Sequence, residues 1–157
     1  MAGRNYARLD SVAAGVPRSP SMDTAHPPVD IAPPPVLVSF DIDGTLEIGD
    51  PPGIVTIAMV EHARRLGYLI GSCSDRTINY QEALWSRLGI APDFTVLKHR
   101  LADVKARFAA QAYYHIGDTE VDHHAASGAG FRFLKADAAA HADWAPLLLP
   151  ALLIEGS

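Results

Sequence analysis

Four short stretches of this 157-residue chain combine residue types that can do chemistry. Asp41-Ile42-Asp43-Gly44-Thr45 sets two carboxylates at i and i+2 directly behind an apolar run. Neighbouring carboxylates repel unless a proton or a cation is shared between them. An apolar run ending in two aspartates is also a poor choice for mere capping; the competing reading is an acidic turn with Gly44 at positive φ. Ser72-Cys73-Ser74-Asp75-Arg76 brings small hydroxyls to the start of an expected helix, where they and the helix N-terminus can bind a phosphate. Alternatively, Ser74 or Thr77 only caps that helix. Lys98-His99-Arg100 offers a lysine that can neutralise a phosphate as a point charge, or simply sit in a solvated loop. Gly117-Asp118-Thr119-Glu120-Val121-Asp122 puts Asp118 and Asp122 on one face of a helix start. With Asp41 they can form the all-oxygen cage that Mg²⁺ prefers; otherwise they complement the helix dipole.

These clusters matter only if the fold gathers them. Val36-Leu37-Val38-Ser39-Phe40 reads as a buried strand ahead of Asp41. The spacing of Met59, Ala63 and Leu66 predicts a helix over 56–66, stopped by Gly67. A strand over 68–73 follows, then a helix over 77–88 closed by Gly89, and a third strand over 94–97. The pattern continues with a helix over 101–110, a strand over 113–116, a helix over 119–127 and a fifth strand over 131–134. A last helix is expected between Trp144 and Leu153. This alternation predicts an α/β, Rossmann-like three-layer fold with a five-stranded parallel sheet. Working residues of such sheets gather at the carboxyl ends of the strands, and each of the four clusters follows a strand.

Composition narrows the classes. The chain is 48% hydrophobic and 20% charged, and its length suits one domain. Lys plus Arg is 13 against 18 for Asp plus Glu, a net charge of −5. That balance argues against binding nucleic acid mainly by charge, though not against an enzyme that handles one phosphate at a time. The lone cysteine, Cys73, rules out an internal disulfide framework and a multi-Cys zinc site. No run approaches the roughly 18 apolar residues that span a bilayer, and no apolar stretch follows Arg4 and Arg8 to make a secretory signal. A soluble, cytoplasmic protein is the expectation. Seven of the 12 prolines fall in residues 1–35, together with three Arg and three Asp. Such a segment buries too little apolar surface to offset its ordering entropy. Residues 1–35 therefore read as a disordered leader and 36–157 as the domain.

Taken together, the clusters resemble the haloacid-dehalogenase-like (HAD) superfamily of phosphohydrolases. The resemblance spans about Val36 to Leu134 and rests on Phe40-Asp41-Ile42-Asp43-Gly44-Thr45 and on Gly117-Asp118-Thr119-Glu120-Val121-Asp122. It implies that Asp41 attacks phosphorus and that Asp43 protonates the leaving group, then activates water. It further implies Mg²⁺ held by Asp41, the Asp43 backbone carbonyl and Asp118, with Asp122 helping directly or through water. Ser74 and Lys98 would hold phosphate oxygens, assisted by the backbone near Gly44 and Thr45. Ser72 can replace Ser74 in this role, and Lys105 can replace Lys98. Retention of Asp43 favours a phosphatase over relatives that cleave carbon–halogen bonds. Neither the stretch from Asp43 to Ser74 nor that from Ser74 to Lys98 has room for a cap domain. The expected site is therefore open, with a short flap over 46–53, and its phosphorylated substrate is not encoded in any readable motif.

Other readings use some of the same residues. Asp122-His123-His124 resembles the signature of a manganese-dependent Asp-His-His phosphoesterase family, but that family's other motifs are not found. A receiver-type signalling domain shares the architecture, yet its acceptor aspartate does not sit in such a run after the first strand. A non-catalytic binding module is the third class; intact Asp41, Asp43, Lys98 and Asp118 speak against it. His115 reads as a satisfied core or rim histidine, Trp85 and Trp144 as packing residues, and Cys73 as a small buried hydrophobe.

Overall fold

Why the chain folds as it does begins with five short apolar runs. In the computed structural model, which describes residues 32–150, they form β1 (Val36–Phe40), β2 (Leu69–Ser74), β3 (Phe94–Leu97), β4 (Ala112–Gly117) and β5 (Arg132–Lys135). All pair in parallel, in the order β3-β2-β1-β4-β5. The helices are α1 (Ile57–Arg65), α2 (Ile78–Leu88), α3 (Leu101–Arg107), α4 (Glu120–Ala129) and α5 (His141–Leu148). Residues 1–31, most of the expected leader, lie outside the described residues, as do 151–157 at the chain end.

Strand period sorts the side chains of the sheet into two layers. On one face Val38, Phe40 and Ile70 pack with Val60, Ala63, Leu84, Trp85, Trp144 and Leu148 of α1, α2 and α5. On the other, Leu37, Cys73 and Val96 pack with Leu101, Val104 and Ala126 of α3 and α4. Leu37, Val38, Phe40, Ile70 and Ile116 are wholly buried; each such side chain is worth about 1.5–3 kcal/mol. The result is a three-layer, Rossmann-like α/β fold. Among the described residues no helix is long and apolar enough to cross a membrane.

Local signals set the helix ends. The hydroxyls of Thr56, Thr77 and Thr119 accept the N–H groups of Met59, Tyr80 and Asp122. Gly89 and Gly130 close α2 and α4 at φ +70° and +78°, where a side chain would be strained. Two expectations shift. The helix over 101–110 stops at Arg107, because the Tyr113 hydroxyl takes over the Phe108 carbonyl and the Ala110 N–H. The last helix starts at His141, earlier than Trp144, behind a turn in which Asp137 Oδ1 accepts the Ala140 N–H at 2.8 Å.

Chain order decides where a site can form. From β1 the chain adds β2 and β3 on one side, then crosses back to place β4 on the other. The switch in direction opens a crevice between the carboxyl ends of β1 and β4, the usual ligand position in such sheets. The flap over 46–53 is tied down by Gly53 N–H to the Leu46 carbonyl at 2.8 Å and Glu47 N–H to the Val55 carbonyl at 2.8 Å. Among the described residues no cap domain interrupts the strand–helix alternation.

Candidate active site

Asp41 emerges at that crevice. Its N–H donates to the Ile116 carbonyl at 2.9 Å, which extends the β1–β4 ladder by one step and fixes where the carboxylate starts. The side chain is nearly buried, with 4% of the residue exposed. Lys98, the first residue of a 3₁₀ turn after β3, reaches across from the neighbouring strands. Its ammonium lies 3.7 Å from Asp41 Oδ2, 3.2 Å from Asp122 Oδ1 and 3.5 Å from Asp75 Oδ2. Oxygens of Asp41, Asp118 and Asp122 all fall within 4.8 Å of one another.

Three carboxylates against one lysine leave the cluster short of positive charge. Burial pushes the Asp41 carboxyl up to about 8, and the negative charge of Asp122 adds to this, while Lys98 and the Ile42 N–H oppose it. Asp122 goes the other way. Burial disfavours its charged form, but bonds from His115 and the charge of Lys98 outweigh that and hold it below the usual carboxylate range. For Lys98, burial is outweighed by Asp41 and Asp122, so its ammonium is held more firmly than usual. A dication beside Asp41 would relieve the repulsion.

The donor set fits one. Asp118 Oδ1 is buried and has no hydrogen-bond partner, an arrangement that is costly unless something else binds it. Thr45 Oγ1 is orphaned in the same way. Gly44, at φ +76°, lies so close that a Cβ there would sit 1.9 Å from Asp118 Oδ2. At Gly117 a Cβ would meet Asp122 Cγ at 2.4 Å. Both glycines are therefore dictated by the approach of carboxylates to the backbone.

Asp122, expected as a metal ligand, is already engaged on both oxygens. Its Oδ2 accepts the N–H groups of Asp118 and Thr119 at 3.1 and 3.2 Å, plus the Thr119 hydroxyl at 3.1 Å. Its Oδ1 faces His115 Nε2 at 3.1 Å as well as Lys98. These bonds make Asp122 a brace for its neighbours, and its oxygen still lies with those of Asp41 and Asp118 in the group placed to hold an ion, directly or through water.

Asp43 stands on the flap side, bound by Arg76 through Nε to Oδ2 at 2.8 Å and Nη2 to Oδ1 at 3.3 Å. The Asp50 N–H also donates to Oδ1 at 2.9 Å. Burial is outweighed by these contacts, so the Asp43 carboxyl is held below its ordinary value. Arg76 closes the Ser72–Arg76 stretch singled out in the sequence, but nothing in that stretch signals its pairing with Asp43. Its guanidinium stacks 4.7 Å from the Tyr80 ring centroid.

The two serines and two lysines left open by spacing sit in different surroundings. Ser72 Oγ donates to Gln81 Oε1 at 2.6 Å and accepts from Trp85 Nε1 at 2.9 Å, deep in the α2 layer. Ser74 Oγ accepts the Arg76 N–H at 3.0 Å at the strand end. Lys105 reaches the Gly130 carbonyl at 3.1 Å and the Tyr113 ring, away from Asp41. Gln81, also unflagged by the sequence, donates to the carbonyls of Arg76 and Val96 at 2.9 and 3.1 Å and so anchors the Ser74–Arg76 turn. Its only signal was a polar residue on the inner face of an amphipathic helix.

No protein-family model and no curated protein matches the chain. Its chemistry therefore rests on this geometry. Neither histidine of Asp122-His123-His124 belongs to the carboxylate group. His123 stacks on Phe133 with centroids 4.8 Å apart, and His124 is exposed on α4.

Proposed function

We propose that this chain is a capless, Mg²⁺-dependent phosphohydrolase of the haloacid-dehalogenase-like type, acting on a phosphate monoester. The observation that carries the reading is the nearly buried Asp41 at the β1–β4 crevice, with Lys98 3.7 Å away and the unpartnered Asp118 Oδ1 beside it. The ionised form of Asp41, which the positive charge beside it must favour against burial, attacks phosphorus through Oδ as the bond to the leaving oxygen breaks, giving an aspartyl-phosphate. Asp43 must first leave Arg76 and take up a proton from solvent; it then delivers that proton to the leaving oxygen. Water then attacks the same phosphorus and gives its proton to Asp43; inorganic phosphate leaves and Asp41 is restored. Lys98, the Ser74 hydroxyl and the Thr45 hydroxyl orient the phosphate oxygens and offset their charge, whereas the N–H groups of Gly44 and Thr45, expected to assist, already donate to the Pro51 and Ile42 carbonyls. Asp41, Asp118 and the Asp43 carbonyl would hold the cation, with Asp122 helping directly or through water; the cation would supply charge neutralisation between nucleophile and phosphate.

The test is hydrolysis of a generic aryl phosphate with and without Mg²⁺, for wild type and Asp41→Asn. Expected is Mg²⁺-dependent turnover that the substitution abolishes. Turnover surviving in Asp41→Asn, with contamination excluded, would sink the mechanism.

A further inference from the structure

The sheet buries two polar side chains side by side where apolar ones would serve packing better. Ser39 on β1 and His115 on β4 are register partners, and both are wholly buried. Buried polar groups of this kind are costly unless fully bonded. Both nitrogens of the imidazole are used: Nδ1 lies 3.0 Å from Ser39 Oγ and Nε2 lies 3.1 Å from Asp122 Oδ1. An ionised carboxylate only accepts, so the hydrogen in the second bond belongs to Nε2. Of the three carboxylates that face the Lys98 ammonium, the same Oδ1 lies nearest, at 3.2 Å. A continuous chain of polar contacts thus runs Ser39–His115–Asp122–Lys98–Asp41.

We propose that His115, oriented by Ser39, is a positioning residue that fixes Asp122 Oδ1 and through it the place of Lys98 beside Asp41. Its catalytic consequence rests on the hydrolase reading; the linkage itself does not. The capping bonds to Asp122 Oδ2 set the position of the carboxylate, and the His115 bond sets its rotation. Partners that orient metal ligands typically contribute about 10–100-fold, and an effect of that size is expected for the partner that orients Asp122.

Two measurements on the full chain test this. The first needs no substrate. In the spectrum of ¹⁵N-histidine-labelled protein, His115 is expected to show a hydrogen on Nε2 that is protected from solvent exchange. That signal should move in Lys98→Met, which frees the shared Oδ1. A freely exchanging ring N–H, or one indifferent to Lys98→Met, overturns the proposal whatever the turnover. The second compares His115→Phe, which removes the donor, with His115→Gln, whose amide can restore a donor near Nε2. Expected is a fall in aryl phosphate kcat of about tenfold or more in His115→Phe, with most of it recovered in His115→Gln. A merely structural role would instead rank the two variants by thermal stability. Equal kcat in folded His115→Phe and wild type overturns the proposal. No turnover in wild type counts against the hydrolase reading, and the spectrum alone then decides the linkage.

Discussion

Gly44 is held where a Cβ would come within 1.9 Å of Asp118 Oδ2, at a φ of +76°. Gly44→Ala is expected to cost about 1–3 kcal/mol from backbone strain alone, read from urea unfolding. It should also displace Asp118 and depress turnover. A variant as stable and active as wild type would show that the carboxylate has room to move. Cys73 makes the opposite case, a reactive residue type made inert. Burial pushes its thiol up to about 12, with the carboxylates of Asp122 and Asp41 adding to the shift. The native protein should resist iodoacetamide at pH 8 and react fully once unfolded in urea. Equal rates in the two states would mean that β2 opens readily.

The element that best joins packing to the site is α2. Gln81 sits wholly buried on its inner face and holds the Ser72 hydroxyl and the carbonyls of Arg76 and Val96. Gln81→Leu removes the donor to both carbonyls and the acceptor of the Ser72 O–H, leaving Ser72 only its bond from Trp85, so a loss of about 2–4 kcal/mol is expected in denaturant unfolding. A loss below about 0.5 kcal/mol would show that the turn after β2 is held by other contacts. Strands and helices were legible because each short apolar run and each terminal Thr or Gly carries its own local signal. Asp41, Asp43, Lys98 and Asp118 were legible as strand-end residues for the same reason. What spacing could not reach were contacts made by folding back: Arg76 on Asp43, Gln81 under the turn, and the capture of Asp122 by His115 and its own helix cap. Tyr113 shortens α3 in the same non-local manner, through a hydroxyl several residues beyond the helix.

At the scale of the whole molecule, the uncompensated carboxylates tie folding to cation and pH. Mg²⁺ should raise the unfolding temperature, because an ion bound only by the folded state stabilises it by about 2.7 kcal/mol at a hundred times its Kd. The gain should vanish in Asp118→Asn; an equal gain there would place the ion elsewhere. In chelator the sign of the Asp41 contribution follows from its raised value, about 8. The folded state takes up a proton more readily than the unfolded chain. Its stabilisation is complete below the ordinary carboxylate value and is lost as pH rises toward 8. Wild-type stability relative to Asp41→Asn should therefore fall between pH 5 and pH 8, and a flat difference would contradict the raised value. The strand order carries one more consequence, for the timing of assembly. As the chain is synthesised, β1, β2 and β3 can pair first, but the far edge of β1 stays open until β4 arrives. Such an edge invites pairing with other chains. Asp118 and Asp122 come in the same late half, so the carboxylate crevice and the closed central edge are completed together. A nascent chain halted after β3 lacks Asp118 and Asp122 of the carboxylate cluster and leaves an edge prone to stick.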